Sequence, residues 1–223
     1  MKNKHIEFRD LAVMDYSQAY DLQIELLNRN IERKNNGDST QNIVLYVEHP
    51  HVYTLGKNGD RSNLKISDDM LRRINATFVH TDRGGDITYH GYGQIVIYPI
   101  FDLSNWDILI RRYIHSIEEV IIRTLKDYGL EASRLEGAPG VWMLDRPRPE
   151  KICAIGVRVS RGITMHGLAF NINTDLKYFD YINPCGFTDK GVTSLQKELG
   201  RKVPLDEVKE KLSHYFVEVF GQL

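Results

Sequence analysis

The chain has 223 residues, 42% hydrophobic and 26% charged, which is enough apolar content for one domain with a sizeable core. Its formal net charge of −1 excludes the strongly basic composition of many nucleic-acid-binding proteins, and no run approaches the roughly 18 apolar residues of a membrane-spanning helix. The N-terminus lacks the apolar segment of a signal peptide, and two cysteines make no disulfide framework. We therefore expect a cytoplasmic protein with reduced thiols and with no nucleic-acid or membrane partner.

In the first half of the chain, apolar periodicity and runs of branched residues predict the regular elements. These are a helix over 17–31 and strands over 42–48, 52–55, 76–80 and 94–100. The polar tract 32–42 between helix and strand predicts a loop. The turn at His49, Pro50 and His51 suggests that the first two strands pair with each other.

The second half begins with a long helix over 110–125, which Gly129 is placed to end, and closes with an amphipathic helix over 205–220. Three strands lie between them, over 141–144, 151–159 and 163–172, with Gly162 in a turn. Thr193 and Gln196 suggest a capping box on a short helix. Strands in succession with a few long helices predict an α+β domain covering 1–223.

A glycine-rich segment, RGGDITYHGYGQ at 83–94, separates two predicted strands. Glycines let a backbone approach a ligand closely, and Arg83, Tyr89 and His90 add polar groups beside them. A tight hairpin would also explain the glycines, but the polar residues favour a binding loop. Neither a Walker A pattern nor a helix-opening dinucleotide fingerprint is present.

The strand over 151–159 carries two further candidates. Lys151 stands at its start, where a solvated lysine is the ordinary interpretation and a lysine beside a titrating group is the functional one. Cys153 lies in an apolar run and is predicted to be a core residue. In the next strand, Gly167 indicates that something approaches its backbone, and His166 is interpreted as a structural histidine. Metal-ligand spacing is absent from the sequence, and a chelate of His49 and His51 is disfavoured by Pro50 between them.

Cys185 lies in the stretch INPCGF, between Pro184 and Gly186, where the backbone must turn. Such a turn presents the thiol at a loop instead of burying it. A free thiol has a pKa of about 8.5 and needs a nearby cation or base to act as a nucleophile at neutral pH. Lys151 is the candidate if the fold brings the two together; otherwise Cys185 is an incidental loop cysteine.

Several motifs resemble the octanoyltransferases of lipoate biosynthesis. They are RGGDITYHGYGQ at 83–94, GVW at 140–142, KICAIGVRV at 151–159, HGLAFNINTDL at 166–176, and NPCG with GVTSL at 183–195. A weaker match is YTLGKNGDRSNL at 53–64. The resemblance implies a mixed β-sheet flanked by helices, the catalytic-domain fold of biotin and lipoate protein ligases, which is also class II aminoacyl-tRNA synthetase-like.

By this resemblance, Cys185 carries an acyl thioester and Lys151 lowers the pKa of its thiol. The donor is octanoyl-acyl carrier protein, with lipoyl-carrier protein as a possible second donor. The acceptors are lysines of lipoyl domains in 2-oxoacid dehydrogenase complexes and in the glycine cleavage H protein. No metal or cofactor is expected. The substrate-binding residues implied are Arg83, Gly84, Gly85, Asp86, Ile87, Thr88, Tyr89, His90, Ala154, Ile155, Gly156, Gly167, Leu168 and Ala169.

Two positions depart from the pattern of this family. Tyr92 stands where proline is usual, and Cys153 stands where a small residue is usual. Neither removes a residue with an assigned chemical role, although Cys153 adds a second thiol near the expected site.

Three alternatives remain open from the sequence. An ATP-dependent lipoate–protein ligase would use the same fold without a nucleophilic cysteine. A non-catalytic acyl- or carrier-binding module would hold the chain in its pocket. An amidotransferase acting between carrier proteins would use almost the same chemistry, so that only an assay of donors and acceptors separates it.

Overall fold

The apolar runs of the sequence form strands and helices that a computed structural model describes for residues 2–183 and 190–223. The strands are β1 (Ile6–Val13), β2 (Asn42–Glu48), β3 (Val52–Leu55), β4 (Thr77–His80), β5 (Ile87–His90), β6 (Gln94–Ile100), β7 (Ser133–Leu135), β8 (Ala138–Met143), β9 (Glu150–Ser160), β10 (Ile163–Asn171) and β11 (Gly191–Val192). The helices are α1 (Tyr16–Asn35), α2 (Asp68–Arg73), α3 (Ile110–Lys126), α4 (Leu195–Leu199) and α5 (Leu205–Gly221).

The larger sheet has the strand order β1-β2-β6-β10-β9-β8-β7, and β11 pairs with β9 beside this path. The β1–β2 and β11–β9 pairs are parallel and the others antiparallel, so the sheet is mixed, as predicted. One face packs on the apolar stripes of α3 and α5, and the opposite face packs on α1. Helices on both faces of a mixed sheet confirm the predicted α+β class.

A smaller sheet, ordered β4-β3-β5, stands apart from the large one. The predicted pairing of β2 with β3 is therefore wrong. Both edges of β2 are occupied, by β1 on one side and β6 on the other, so β3 has no free edge of β2 to bind. The sequence patterns did not predict β1, and they placed β5 inside the glycine-rich loop.

Two helix boundaries also differ from the predictions. Helix α1 continues to Asn35, into the tract predicted as loop, where Lys34 makes an ion pair of 2.7 Å with the buried Asp102. The short helix α4 is capped by Ser194, whose hydroxyl accepts from the Lys197 N–H at 3.2 Å. Thr193, the predicted cap, instead donates to Glu198. Gly129 has a positive φ of 74° just beyond α3, as its predicted capping role requires.

His49 is a buried neutral histidine that links stability to pH. Its Nδ1 bonds the Met14 carbonyl at 2.7 Å, and its Nε2 bonds the Tyr98 hydroxyl at 2.8 Å, so the neutral ring donates at Nδ1 and accepts at Nε2. Burial lowers the pKa of His49 from 6.5 to about 4.

We expect the folded state to lose stability as pH falls from 6.5 to 4, because in this range His49 binds a proton in the unfolded chain but stays neutral in the folded chain. This group alone should account for about 3 kcal/mol of the loss. Urea unfolding of wild type and of His49→Gln at pH 7 and pH 4.5 measures it. An equal loss in both proteins would contradict the assignment.

Across the described ranges 2–183 and 190–223, no helix is both long enough and apolar enough to span a membrane.

Candidate active site

Lys151 is placed by a one-residue bulge at the start of β9. Cys153 lies opposite Val141 and Lys151 opposite Trp142, so Ile152 is the extra residue on β9. A bulge of this kind changes which face of a sheet the next side chain occupies. The lysine stem therefore passes over Gly140, where a Cβ would lie 3.3 Å from its Cε.

The Lys151 ammonium is held at that place by β8. Its Nζ donates to the Pro139 carbonyl at 3.2 Å and lies 4.6 Å from the centre of the Trp142 ring. Because Gly140 is directly opposite Ala154, the ammonium shares a face of the sheet with Ala154. The cation thus lies at the edge of a specific strip of sheet surface.

Cys185 and the rest of 184–189 lie outside the described residues. The chain on either side of this segment is anchored. Before it, the Asn183 N–H donates to the Asn63 carbonyl at 2.8 Å. After it, the Gly191 N–H donates to the Pro149 carbonyl at 2.9 Å, and Val192 pairs with Lys151. The strand that follows Cys185 by six residues is therefore a direct neighbour of Lys151.

The strip of sheet beside Lys151 is lined by small residues. Ala154 pairs with Ala169 and Gly156 with Gly167, and directly opposite residues share a face, so these four form a small-residue floor. The intervening Ile155 and Leu168 point to the other side and pack in the core under α3 and α5. Ala154 is only half-buried, so the floor is accessible at this position, whereas Ala169 is buried.

The glycine-rich segment crosses β9 at the far end of this floor. The Gly84 N–H donates to the Val157 carbonyl at 3.1 Å. A Cβ at Gly156 would lie 2.8 Å from the Gly84 oxygen and 3.2 Å from Arg83 Cδ. We call this contact of Arg83 and Gly84 with Gly156 the Arg83 crossing. The structure thus brings together the first part of 83–90 with the segments 154–156 and 167–169.

The remainder of 85–90 is held within the small sheet. Asp86 accepts from Asn63 at 2.7 Å, and Gly85 takes a positive φ of 86° beside Gly56. Ile87, Thr88, Tyr89 and His90 form β5.

The β5 side chains are engaged in structural contacts. The Tyr89 hydroxyl bonds His51 Nδ1 at 2.7 Å, and Tyr178 stacks on Tyr89 with ring centres 4.9 Å apart. His90 bonds Gln94 at 2.9 Å, and burial holds the pKa of His90 well below its usual value. The lower pKa keeps this ring neutral, so His90 supplies no charge to the site.

Cys153 is fully buried in the core between the sheet and α3, which confirms the prediction. Burial raises the pKa of the Cys153 thiol well above its usual value, although the charge of Lys151 opposes this. A protonated thiol without solvent access is a poor nucleophile. Cys153 is therefore excluded from the chemistry by its environment.

A group of polar residues that the sequence did not predict lines a cavity of about 800 Å³ beyond the Arg83 crossing. Asp82 accepts from His166 Nε2 at 2.7 Å, from the Tyr20 hydroxyl at 3.3 Å and from Arg158. Burial acts to raise the pKa of Asp82, but the His166 bond and the charges of His166 and Arg158 outweigh it, so the pKa is lowered. Asp82 and Arg158 thus place an ion pair on the wall of the cavity.

His166 is a structural residue, as interpreted from the sequence. It is buried with a φ of 57°, a left-handed conformation that is unusual for a residue other than glycine, and its N–H donates to Gln23 at 2.8 Å. Burial lowers the pKa of His166, which Asp82 partly offsets.

Gly167 is required by a close approach of β6. A Cβ at this position would lie 2.1 Å from the Ile97 carbonyl oxygen and 2.8 Å from Pro99 Cδ. Gly167→Ala should therefore destabilise the fold by about 3 kcal/mol, since a central strand must move. Thermal unfolding measures this, with Gly221→Ala as the matched control because no described atom lies within 4 Å of a Cβ there. Equal melting temperatures for the two variants would disprove the contact.

The described residues contain no group of three or more His, Cys, Asp or Glu side chains that could hold a metal ion. His49 bonds Met14 and Tyr98, whereas His51 bonds Tyr89 and Tyr178, so the two rings are held by different partners.

The family model that describes the lipoyl protein ligase A/B catalytic domain matches residues 15–217 of this sequence. An octanoyltransferase of Bacteroides fragilis is 52% identical over 204 residues, which cover 91% of this chain and 92% of the relative. An octanoyltransferase of Christiangramia forsetii is 50% identical over 226 residues, covering 98% and 97%.

Solved structures share the fold at low identity. The bipartite lipoate protein ligase of Thermoplasma acidophilum has a TM-score of 0.69 at 18% identity, covering 97% of this chain and 85% of that chain. The biotin protein ligase of Aquifex aeolicus has a TM-score of 0.56 at 13% identity, covering 97% and 71%. These likenesses confirm the predicted fold. The chain belongs to the lipoyl protein ligase A/B catalytic-domain family and, within it, to the octanoyltransferases, which are acyltransferase enzymes.

Proposed function

We propose that the chain moves an octanoyl group from octanoyl-acyl carrier protein, through a thioester on Cys185, to a lysine of a lipoyl domain. The observation that carries this proposal is the position of Lys151. Its ammonium lies beside the small-residue floor, and β11, the strand that follows Cys185 by six residues, pairs with its strand. A cation and an apolar surface thus meet at one end of β9, and the strand that pairs there follows the proposed nucleophile in sequence.

In the first step, the Cys185 thiolate attacks the carbonyl carbon of the donor thioester. The new carbon–sulfur bond forms to Cys185 and the bond to the carrier thiol breaks, so that the carrier leaves as a thiol after taking up a proton. A neighbouring ammonium favours the thiolate over the thiol, which is the role proposed for Lys151. Because one thioester replaces another, the exchange needs no energy source.

In the second step, the acceptor lysine of the lipoyl domain attacks the acyl-enzyme. An amide bond forms, the carbon–sulfur bond to Cys185 breaks, and the proton of the attacking amine passes to the departing Cys185 thiolate, or to the Lys151 amine if the Lys151 ammonium gave its proton to the carrier thiol in the first step. Two displacements through a covalent intermediate predict ping-pong kinetics.

The small-residue floor is the proposed binding surface for the alkyl chain of the substrate. The half-buried Ala154, paired with Ala169, offers the chain an apolar surface without a polar side chain, and the Arg83 crossing lies over Gly156 further along β9. The Gly84 N–H is already bonded to Val157, so we assign Gly84 to holding the crossing and not to stabilising the oxyanion.

The proposed donor is acyl carrier protein loaded with an octanoyl group, with the lipoyl-loaded carrier as a second donor. The proposed acceptors are lipoyl domains of 2-oxoacid dehydrogenase complexes and the glycine cleavage H protein. Residues 1–223 act as one catalytic domain in the cytoplasm in this proposal, with no metal, cofactor or nucleic acid.

An assay of donors and acceptors tests the proposal. Octanoyl-carrier protein should octanoylate a lipoyl domain without ATP, whereas free octanoate with ATP and Mg²⁺ should not. Transfer that requires ATP would instead support a lipoate–protein ligase. Transfer to a second carrier protein in preference to the lipoyl domain would support an amidotransferase, and absence of transfer would support a binding module.

A further inference from the structure

The Arg83 crossing closes the small-residue floor at Gly156. The Gly84 oxygen would lie 2.8 Å from a Cβ on Gly156, and Arg83 Cδ would lie 3.2 Å from it, so no atom of a ligand fits between them. Nearer Lys151, by contrast, Ala154 is half-buried and open. An alkyl chain that lies on the floor from the Lys151 end therefore meets the crossing as an obstacle.

Arg83 is fixed in this position by Thr54. The guanidinium is buried, and a buried charge needs its hydrogen bonds. Thr54 supplies them through its hydroxyl, which accepts from Nε at 3.2 Å and from Nη2 at 2.9 Å, and through its carbonyl. The Gly84 carbonyl accepts from Nη1 at 3.0 Å. Thr54 lies in β3, the central strand of the small sheet, so its backbone is hydrogen-bonded to a strand on each side.

The polar cavity begins directly behind the crossing. Gly84 and Val157, which form one of its contacts, also line the cavity of about 800 Å³. Asp82 and Arg158 lie on its wall. A longer alkyl chain has space there only after Arg83 moves, and its last methylenes would then lie among charged groups.

We propose that the Arg83 crossing is the end wall of the acyl channel and that Thr54, by holding Arg83, determines the length of the acyl chain accepted. This inference rests on the function proposed above. An extended alkyl chain advances about 1.25 Å per carbon, given bonds of about 1.5 Å. One residue of β9 advances about 3.3 Å, so four additional carbons need about one and a half residues of further channel. A fixed wall at Gly156 therefore discriminates between chains that differ by a few carbons.

The test compares transfer of octanoyl, decanoyl and dodecanoyl groups from their carrier proteins to a lipoyl domain, as ratios of kcat/KM. Thr54→Val removes the hydroxyl that holds Arg83 at nearly constant volume. It should raise the dodecanoyl-to-octanoyl ratio by about tenfold or more. Thr54→Ser, which keeps the hydroxyl, should retain the ratio of the wild type. Arg83→Lys should shift the ratio as Thr54→Val does, so the test does not depend on one variant folding.

Thr164→Val is the matched control, because Thr164 is also a buried threonine, and its hydroxyl donates to the Pro99 carbonyl at 2.7 Å and accepts from the Phe101 N–H at 2.9 Å. It should lower the melting temperature without changing the ratio. If the wild type transfers octanoyl groups but the ratios are unchanged in both Thr54→Val and Arg83→Lys, the end-wall proposal is overturned and the proposed function is not. An equal shift in Thr164→Val would also overturn it. A wild-type protein that transfers no octanoyl group would overturn the proposed function instead.

Discussion

Replacement of Cys185 by alanine should abolish octanoyl transfer, with kcat/KM falling by on the order of a thousandfold or more. The proposed mechanism has no other nucleophile, because the Cys153 thiol is buried and its pKa is raised by burial. Loss of a covalent nucleophile removes both displacements, whereas an ordinary substitution removes only one contact. Initial rates with octanoyl-carrier protein and a lipoyl domain measure the effect.

Cys153→Ser is the control for this prediction. It should keep most of the transfer activity while losing stability, since a hydroxyl is placed in an apolar core. A Cys185→Ala protein that kept full activity, or a Cys153→Ser protein that folded normally but lost it, would contradict the assignment.

Lys151→Met should lower kcat/KM by about a hundredfold at neutral pH and move the rising limb of the pH–rate profile to higher pH. The variant keeps the stem that passes Gly140 but removes the ammonium. Without a neighbouring cation, a cysteine thiol has a pKa of about 8.5, so less Cys185 is thiolate at pH 7. The profile should move to higher pH because a cation favours the thiolate form of Cys185, so that removal of the cation raises the pKa of the thiol.

The pH dependence of Cys185 alkylation by iodoacetamide, in a Cys153→Ser background, measures this shift. Lys197→Met is the matched control, because Lys197 is a more exposed lysine that pairs with Glu150 at 3.0 Å, next to Lys151 in sequence. It should leave the profile unchanged. Identical profiles for the wild type and Lys151→Met would show that Lys151 does not act on the thiol.

The helices and strands whose apolar residues recur with a clear period were predictable from the sequence. The strands β2 and β6 occur at their predicted bounds, and α3 and α5 lie within a residue or two of theirs. Their apolar residues recur at the spacing of one buried face, and that spacing is a local property. β1 was missed because five of its eight residues are polar or exposed. Without β1, the prediction left an edge of β2 free and wrongly assigned it to β3.

The site was predictable in part. Gly167 indicated a close approach to its backbone, and the structure supplies it from Ile97. Gly84 was expected to approach a ligand and Gly156 was named only by the resemblance, whereas in the structure these two residues approach each other. Thr54, Asp82 and Arg158 gave no such signal, because a threonine, an aspartate and an arginine are ordinary in strands and loops. Their roles arise from contacts between residues far apart in sequence, such as Arg83 with Thr54.

Tyr92, the departure from the family pattern, has a local structural explanation. Tyr92 is 48% exposed, and its ring meets the His51 ring edge-on, with ring centres 5.1 Å apart. His51 in turn stacks on Tyr178 at 4.2 Å. Tyr92 therefore extends an aromatic stack on the small sheet and does not enter the small-residue floor.

Intact mass spectrometry after mixing the protein with octanoyl-carrier protein, without an acceptor, tests whether Cys185 carries the acyl group. We expect a mass increase equal to one octanoyl group, present in the wild type and in Cys153→Ser and absent from Cys185→Ser. Addition of a lipoyl domain should then remove the octanoyl group from the enzyme. An adduct that persists in Cys185→Ser, or a wild-type protein that transfers octanoyl groups without ever carrying one, would contradict it.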